Sequence, residues 1–235
     1  MRYLALATDY DGTLAHDGVV DDDTIRALER LIHSGRKLIL VTGRELPDLE
    51  LIFPRLELFE RVVAENGALL YRPGTDEKRK LAEPPPDRFV DSLKERGVPG
   101  LSVGDVIVAT WHPYETEVLE VIRESGLELQ IVFNKDAVMI LPTGVNKVTG
   151  LCAALEELKL SRHNIVGVGD AENDHAFLEY CACSVAVANA IPALKEKADW
   201  VTEGERGAGV VELIDRLIDN DLADLSVRRA GLLDS

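Results

Sequence analysis

Short apolar runs alternate with amphipathic stretches along most of the chain. The first apolar run, residues 3–8, precedes a helical periodicity at 23–33 and a second apolar run at 37–41. The same pattern predicts, in chain order, a helix at 46–53, a strand at 62–64, a helix at 146–159, a strand at 165–168, a helix at 173–182, a strand at 184–187, a helix at 191–197, a short strand at 200–201 and a helix at 208–219. Strands that alternate with helices are typical of a parallel sheet covered on both faces, so the pattern predicts an α/β fold.

The first helix has recognisable ends. Asp22 or Asp23 is expected to cap its N-terminus, because a carboxylate there accepts hydrogen bonds from free backbone N–H groups. Gly35 is expected to end it. Apolar residues recur every three or four positions between these limits, so one face is predicted to be buried.

The middle of the chain follows a different order. Residues 73–80 are polar and predict a crossing between two parts of the fold. Beyond it the pattern predicts a helix at 87–96, a strand at 103–111, a helix at 114–125, a strand at 128–133, a turn at 134–136 and a strand at 137–141. The turn indicates a hairpin, so this sheet is at least partly antiparallel. We predict a small α+β domain at 73–142, inserted into a main domain at 1–72 and 143–221, with 222–235 as a tail or linker.

Charge narrows the possible partners. Asp and Glu number 42 and Lys and Arg 26, which gives a net charge of −16. A surface of that sign repels nucleic acid and anionic membranes, so we predict neither as a partner, whereas a local cation or metal still attracts a small anion. No apolar stretch reaches the roughly 20 residues of a membrane span, and the N-terminus lacks a signal-peptide pattern. These features favour a cytoplasmic protein and leave its oligomeric state open.

Polar residues follow four of the predicted strands at the point where each strand ends. They are Asp9 and Asp11, Thr42 and Arg44, Glu65 and Asn66, and Asp170. Ligands bind at the carboxyl ends of the strands in an open parallel sheet. We therefore expect these side chains to line one cleft.

Asp9 and Asp11 lie one residue apart after a buried strand. Two carboxylates this close in a cleft raise each other's cost of ionisation unless a cation lies between them. The alternative is an Asp-Gly turn with two solvated acids. A calcium loop is excluded, because its glycine belongs at the sixth position, which Leu14 occupies.

Asp170 and Asp174 flank the predicted start of a helix. Hard oxygen ligands of this kind suit Mg²⁺, which takes few protein carboxylates and keeps several waters. The alternative is that Asp170 or Glu172 caps the helix. The second carboxylate, Asp174, favours the metal site.

Lys147 is predicted in the first turn of the helix at 146–159. A cation there opposes the helix dipole, so local stability does not account for it, whereas a bound anion would be attracted by both the helix end and the ammonium. A solvated surface lysine is the alternative. Thr42 offers a hydroxyl at a strand end, and Arg44 either binds an anion or pairs with an acid.

Together these motifs resemble the haloacid dehalogenase superfamily of phosphatases. The matching segments are, in order, Asp9 to Leu14, Thr42-Gly43-Arg44, Lys147, and Gly169-Asp170 through Asn173-Asp174. Further segments resemble the Cof-type subgroup, which includes sucrose-phosphate and archaeal phosphoglycolate phosphatases: Asn66-Gly67-Ala68, Pro142 to Lys147 and Ala188-Asn189-Ala190. The resemblance implies a Rossmann-like parallel sheet core with helices on both faces and a small α+β cap domain inserted after the second motif.

The resemblance also implies a role for each matched residue. Asp9 is then the nucleophile that takes the phosphoryl group as an aspartyl-phosphate, and Asp11 protonates the leaving alcohol and later activates water. Mg²⁺ is held by the Asp9 carboxylate, the backbone carbonyl of Asp11 and Asp170, while Asp174 and Asn173 order its waters. The residues implied to bind substrate are Thr42, Gly43, Arg44, Lys147 and Asn173, of which Thr42 and Lys147 hold the transferring phosphoryl oxygens.

The implied function is Mg²⁺-dependent hydrolysis of a small phosphorylated metabolite, either a sugar phosphate or a phospho-hydroxy acid. Two alternatives stay open: a phosphosugar mutase, and a non-catalytic regulatory domain of a larger protein. The cap, within residues 81–141, is expected to choose the substrate, since the phosphate-binding residues recognise only the group common to all substrates. Candidate residues on it are Trp111, His112 and Lys135.

Overall fold

The computed structural model describes residues 1–134 and 136–225, which form two β-sheets and eight α-helices. The strands are β1 Ala5–Thr8, β2 Lys37–Val41, β3 Arg61–Ala64, β4 Leu69–Arg72, β5 Glu77–Lys80, β6 Ser102–Val103, β7 Val108–Trp111, β8 Leu129–Asn134, β9 Ala137–Pro142, β10 Ile165–Gly169, β11 Cys183–Ala186 and β12 Trp200–Val201. The helices are α1 Asp22–His33, α2 Leu46–Ile52, α3 Asp87–Glu95, α4 Glu115–Ser125, α5 Lys147–Leu158, α6 His175–Tyr180, α7 Pro192–Lys197 and α8 Arg206–Asn220.

The larger sheet has the strand order β12-β11-β10-β1-β2-β3-β4-β5. Its first six strands are parallel, and β4 and β5 continue it as antiparallel strands. After β1 the chain builds one side of the sheet with β2 and β3, and later builds the other side with β10. The carboxyl end of β1 is therefore the switch point at which open α/β sheets bind their ligands.

Burial explains why the apolar runs form the centre of this sheet. Every residue of β1 and β3 is buried, as expected for strands covered by helices on both faces. α1 packs against α8, and α5 packs against α6. On α8 the core-facing residues are fully buried and spaced by one, three or four positions: Val210, Leu213, Ile214 and Leu217. The predicted α/β fold is confirmed.

The smaller sheet is antiparallel, with the strand order β6-β7-β9-β8. α3 and α4 cover one of its faces through a separate apolar cluster that includes Phe89, Leu93, Val118 and Ile140. The predicted hairpin is present as β8 and β9, with Asn134 paired to Ala137. The other face of the smaller sheet faces the larger sheet.

The middle of the chain differs from the prediction in two places. The strand expected at 103–111 is two strands, β6 and β7, because a turn at 104–107 interrupts it. Residues 73–80, expected to be a polar crossing, contain β5, and the preceding β4 was also missed. All four residues of β5 are charged and exposed, so the strand has no apolar alternation to detect, and charge at a sheet edge discourages pairing with other chains.

The ends of two helices also differ from the prediction. The N-cap of α1 is Asp21, whose carboxylate accepts the N–H of Thr24 at 2.7 Å, and not Asp22 or Asp23. The helix expected at 173–182 is a 3₁₀ turn at Glu172–Asp174 followed by the shorter α6.

Part of the predicted tail packs on the larger sheet. Leu222 is buried in its core, and Asp221 accepts a hydrogen bond from Arg36 Nη2 at 2.9 Å. Residues 226–235, the rest of that tail, lie outside the described residues. In the described ranges, no helix has both the length and the hydropathy that crossing a membrane requires.

We expect Leu213→Ala on α8 to lower the free energy of unfolding by about 2–5 kcal/mol, because it leaves a cavity under a fully buried side chain. Leu51→Ala on α2 is the matched control, since Leu51 is 82% exposed, and it should change stability by no more than about 0.5 kcal/mol. Urea unfolding measures both. Equal losses in the two variants would contradict the packing described for α8.

Candidate active site

Three candidate residues directly follow three neighbouring strands of the larger sheet. Asp9 follows β1, Thr42 follows β2 and Asp170 follows β10. β1 lies between the other two strands, and all three are parallel. Their carboxyl ends therefore meet at one edge of the sheet, at the switch point.

Lys147 begins α5 and is buried, with 1% of its surface exposed. Asn146 caps the helix, and its side chain accepts the N–H of Val148 at 2.9 Å. From this first turn Lys147 Nζ reaches Asp9 Oδ1 at 2.5 Å and Asp174 Oδ1 at 2.6 Å. The alternative of a solvated surface lysine is therefore wrong, and the ammonium joins two carboxylates from distant parts of the chain.

Asp174 is held on both of its oxygens. Oδ1 faces Lys147, while Oδ2 accepts the backbone N–H groups of Asp170 and Ala171, each at 2.9 Å. Thr13 Oγ1 donates to Asp170 Oδ1 at 2.9 Å. These contacts fix the orientation of both carboxylates before any ligand binds.

Three buried carboxylates lie beside this one buried ammonium. One oxygen from each of Asp9, Asp170 and Asp174 lies within 4.8 Å of the others. Burial and the carboxylates of Asp174 and Asp170 raise the pKa of Asp9, against the opposing effect of Lys147. Burial lowers the pKa of Lys147, but Asp174 and Asp9 outweigh it and raise that pKa above its ordinary value. Negative charge is in excess and all donors are oxygens, so the site fits a divalent metal ion.

Gly12 allows the first motif to approach Asp170 closely. Its φ is +86°, and a Cβ at this position would lie 2.4 Å from Asp170 Oδ2, so a larger residue would displace the carboxylate. Asn189 supports the same turn: its Nδ2 donates to the Gly12 carbonyl at 2.8 Å, and its Oδ1 accepts the N–H of Arg206 at 2.8 Å. Asn189 is not among the residues to which the sequence resemblance assigns a role, although it lies in the motif Ala188-Asn189-Ala190.

The Asp11 carboxylate points away from the buried acidic cluster. Arg44 binds it twice, from Nε to Oδ2 at 2.6 Å and from Nη2 to Oδ1 at 2.7 Å, and Arg44 also pairs with Asp48. Two roles were predicted for Arg44, anion binding or pairing with an acid. In this structure Arg44 pairs with acids. The Asp11 carboxylate is therefore engaged by Arg44 and is not part of the cluster of Asp9, Asp170 and Asp174.

The remaining predicted residues lie around this cluster. Thr42 is buried, and its Oγ1 accepts the N–H of Arg44 at 3.2 Å. Asn173 Nδ2 donates to Asn66 Oδ1 at 3.1 Å, while Asn173 Oδ1 is buried without a hydrogen-bond partner among the described residues. Gly43 lies against the cap, because a Cβ added to it would come 3.4 Å from a methionine sulfur of β9.

A cavity of about 640 Å³ lies between the two sheets, with Asp9 and Asp11 in its wall. The open face of the smaller sheet forms its roof with Ser102, Ala109, Trp111, Asn134, Ala137 and Met139. Trp111 is 59% exposed, and Asn134 Oδ1 is buried without a hydrogen-bond partner in the part of the chain that the structure describes. His112 does not line the cavity and contacts the Glu115 carboxylate at 3.1 Å. Lys135 lies outside the described residues.

Proteins of known class resemble this chain over most of its length. The sequence profile of the haloacid dehalogenase-like hydrolases matches residues 6–109 and 120–214. Phosphoglycolate phosphatase 2 of Saccharolobus solfataricus is 31% identical over 229 residues, which cover 92% of each chain. A phosphoglycolate phosphatase of Methanothermobacter thermautotrophicus is 29% identical over 222 residues, which cover 91% of this chain and 98% of the relative. The chain belongs to the haloacid dehalogenase-like hydrolase family, and the predicted phosphatase class within that superfamily is confirmed.

Solved structures of low sequence identity share the fold. A HAD/COF-like hydrolase from Plasmodium vivax aligns with a TM-score of 0.79 at 20% identity, covering 93% of this chain and 96% of its own. A haloacid dehalogenase-like hydrolase from Bacteroides thetaiotaomicron aligns with a TM-score of 0.77 at 18% identity, covering 92% and 99%. At these identities the likeness concerns the fold, and it supports the Rossmann-like core with a cap.

We expect Lys147→Met to destabilise the protein by about 3–5 kcal/mol in excess chelator, because it removes the ammonium from a cluster of buried carboxylates. Added Mg²⁺ should restore part of the loss by supplying positive charge. Lys94→Met, on the exposed face of α3, is the control and should stay within about 0.5 kcal/mol of the parent. Thermal unfolding measures the stability of the parent, Lys147→Met and Lys94→Met. A Lys147→Met variant as stable as the control would contradict the electrostatic role of Lys147.

Proposed function

We propose that this protein is a Mg²⁺-dependent phosphatase that hydrolyses a small phosphorylated metabolite through an aspartyl-phosphate on Asp9. The observation that carries the proposal is the buried contact of Lys147 with Asp9 and Asp174, next to Asp170 and at the wall of a roofed cavity. Phosphoryl transfer needs mainly in-line positioning and neutralisation of charge. A fixed carboxylate beside a fixed ammonium supplies both.

Asp9 is the proposed nucleophile. Lys147 holds its Oδ1, which leaves Oδ2 to attack phosphorus as the bond from phosphorus to the leaving oxygen breaks. Asp11 donates a proton to that leaving oxygen. In the second step a water attacks phosphorus, Asp11 accepts a proton from the water, and the bond between Asp9 and phosphorus breaks to release inorganic phosphate.

Asp11 must change partners during this cycle. Both oxygens of the Asp11 carboxylate are occupied by hydrogen bonds from Arg44, so neither can reach the leaving oxygen while this pairing holds. Arg44 also contacts Asp48, which can keep the guanidinium when Asp11 turns towards the leaving oxygen. We propose that Arg44 holds Asp11 ready in the absence of substrate and releases it when substrate enters.

Mg²⁺ would be held by the carboxylates of Asp9 and Asp170 and by the backbone carbonyl of Asp11, with Asp174 and Asn173 in contact with its waters. When bound, the ion supplies positive charge that neutralises the phosphoryl oxygens beside the buried acids. The other phosphoryl oxygens would bind Lys147, the Thr42 hydroxyl and the loop that contains Gly43. The excess of buried carboxylates over ammonium groups supports this assignment.

The proposed substrates are small sugar phosphates and phospho-hydroxy acids. The names of the curated relatives, phosphoglycolate phosphatases, support a short hydroxy acid, and the cavity volume favours a small leaving group. The net charge of −16 opposes nucleic acid and anionic membranes as partners. We propose that the enzyme is cytoplasmic. We also propose that its cap comprises residues 81–142, because β5 belongs to the larger sheet.

The test is phosphate release from a panel of phosphate monoesters, with Mg²⁺ and with excess chelator. We expect release only with the metal, and we expect Asp9→Asn to lower kcat by about a thousandfold or more in a variant that still folds, because an amide cannot form the acyl-phosphate. Retention of more than about a tenth of the activity would exclude Asp9 as the nucleophile. Isomerised sugar phosphate without free phosphate would indicate a mutase, and no reaction with any ester would favour a regulatory domain.

A second prediction concerns the roof of the cavity. Trp111→Ala should lower kcat/KM for the preferred substrate by about tenfold or more, because contacts to the leaving group are worth roughly that much in discrimination. Hydrolysis of an aryl phosphate should change much less, since it depends mainly on the phosphoryl site. Phe133→Ala is the control, because this half-exposed aromatic of β8 does not line the cavity. Equal effects of the two substitutions on both substrates would contradict a role of the roof in selection.

A further inference from the structure

A buried carboxylate next to the larger sheet is bound by the backbone of the cap. Glu65 directly follows β3 and has no exposed surface. Its Oε1 accepts the N–H of Asp105 at 2.8 Å, and its Oε2 accepts the N–H groups of Val106 and Ile107 at 2.7 and 2.8 Å. Successive backbone N–H groups that converge on one anion form a binding concavity. Burial raises the pKa of Glu65, and these three hydrogen bonds oppose the rise.

The turn that supplies these N–H groups, residues 104–107, joins β6 to β7. Gly104 is required at its start, because a Cβ there would lie 2.7 Å from Glu65 Oε1. Lys80, at the end of β5, binds the same turn: its Nζ lies 2.9 Å from the Asp105 carbonyl and 3.2 Å from Asp105 Oδ1. Two charged residues of the larger sheet region therefore hold one turn of the cap.

The backbone around Glu65 is tied to the second motif. The N–H of Glu65 donates to the Arg44 carbonyl at 2.9 Å, and the N–H of Asn66 donates to the Thr42 carbonyl at 2.9 Å. Both Glu65 and Asn66 have left-handed backbone conformations, with φ of +51° and +54°. Non-glycine residues hold such conformations only where surrounding contacts determine them, and here those contacts lead to the phosphate site.

The next residue, Gly67, is tied to the third motif. A Cβ on Gly67 would lie 1.9 Å from the Asn146 carbonyl, so its backbone packs directly on the N-terminus of α5. Lys147 follows Asn146 and binds Asp9. The segment 65–67 therefore contacts the cap on one side and two phosphate-binding motifs on the other.

We propose that Glu65 is a positioning residue that couples the cap to the catalytic residues. Its carboxylate fixes the turn 104–107 on the larger sheet, and that turn leads directly into β7, which carries Ala109 and Trp111 into the roof. The buried carboxylate thus helps to set the distance from the roof to the phosphoryl site. This role rests on the proposed function, since it concerns the reaction carried out in the cavity.

The first measurement does not depend on activity. Hydrogen exchange of the amides of residues 105–107 is compared between the parent protein and Glu65→Gln. A glutamine turns an NH₂ group towards at least one of these N–H donors, so we expect that amide to exchange about tenfold to a hundredfold faster. Glu83→Gln removes the same charge at an exposed position and should leave exchange in the turn unchanged.

The second variant approaches the same contact from the cap. Gly104→Ala should push the turn off the carboxylate, whereas Gly74→Ala is the matched control, because a Cβ there meets nothing within 4 Å. Since Gly104→Ala and Glu65→Gln break one contact, their double variant should exchange little faster than the worse single variant. Exchange at 105–107 that is unchanged in both single variants would overturn the proposal.

The third measurement separates positioning from folding. In Glu65→Gln and Gly104→Ala we expect kcat/KM for the preferred substrate to fall about tenfold or more, while kcat/KM for an aryl phosphate stays within about threefold of the parent. Equal losses on both substrates would mean that Glu65 only stabilises the fold. A parent protein that releases phosphate from no ester would instead refute the proposed function, and the exchange data would still decide whether Glu65 holds the cap.

Discussion

The buried ammonium of Lys147 is the group on which the rest of the site depends. It bridges Asp9, which follows the central strand, and Asp174, which is held by the backbone at the end of β10. Without a cation these carboxylates would repel one another in a dry environment, where such repulsion is strong. One lysine at the start of α5 thereby makes it possible for the carboxyl ends of two parallel strands to carry acids at the same point.

The same arrangement leaves the site with more negative than positive charge. One ammonium faces three buried carboxylates, and the Asp11 carboxylate is engaged separately by Arg44. A phosphate ester would add further negative charge, and the excess of carboxylates fits a divalent metal ion. Glycines such as Gly12 bring the backbone close to these acids. A side chain at such a position would displace the carboxylates.

In the proposed function, the two sheets contribute different parts of substrate recognition. The larger sheet carries the groups that any phosphate ester would meet, and the smaller sheet roofs the cavity with side chains that differ in chemistry, such as Trp111 and Asn134. A division of this kind needs a defined contact between the parts. The carboxylate of Glu65, which accepts three N–H groups of the turn 104–107, provides one.

Local patterns in the sequence determined much of this protein. Apolar periodicity gave the parallel core and the hairpin of the cap, because burial of a strand or helix face leaves its spacing in the residues themselves. Motif spacing placed Asp9, Thr42 and Asp170 at strand ends. β5 escaped prediction because a charged edge strand buries no alternating face.

Only the tertiary structure decided which partner each charged side chain takes. The turn between β6 and β7 is bound by Glu65, which lies about forty residues earlier in the chain. In the same way, Lys147 meets Asp9 across 138 residues, and Arg44 meets Asp11 across 33. The sequence places such charges on their elements, but whether they pair, and how strongly, depends on the burial and distances that arise when the elements pack together.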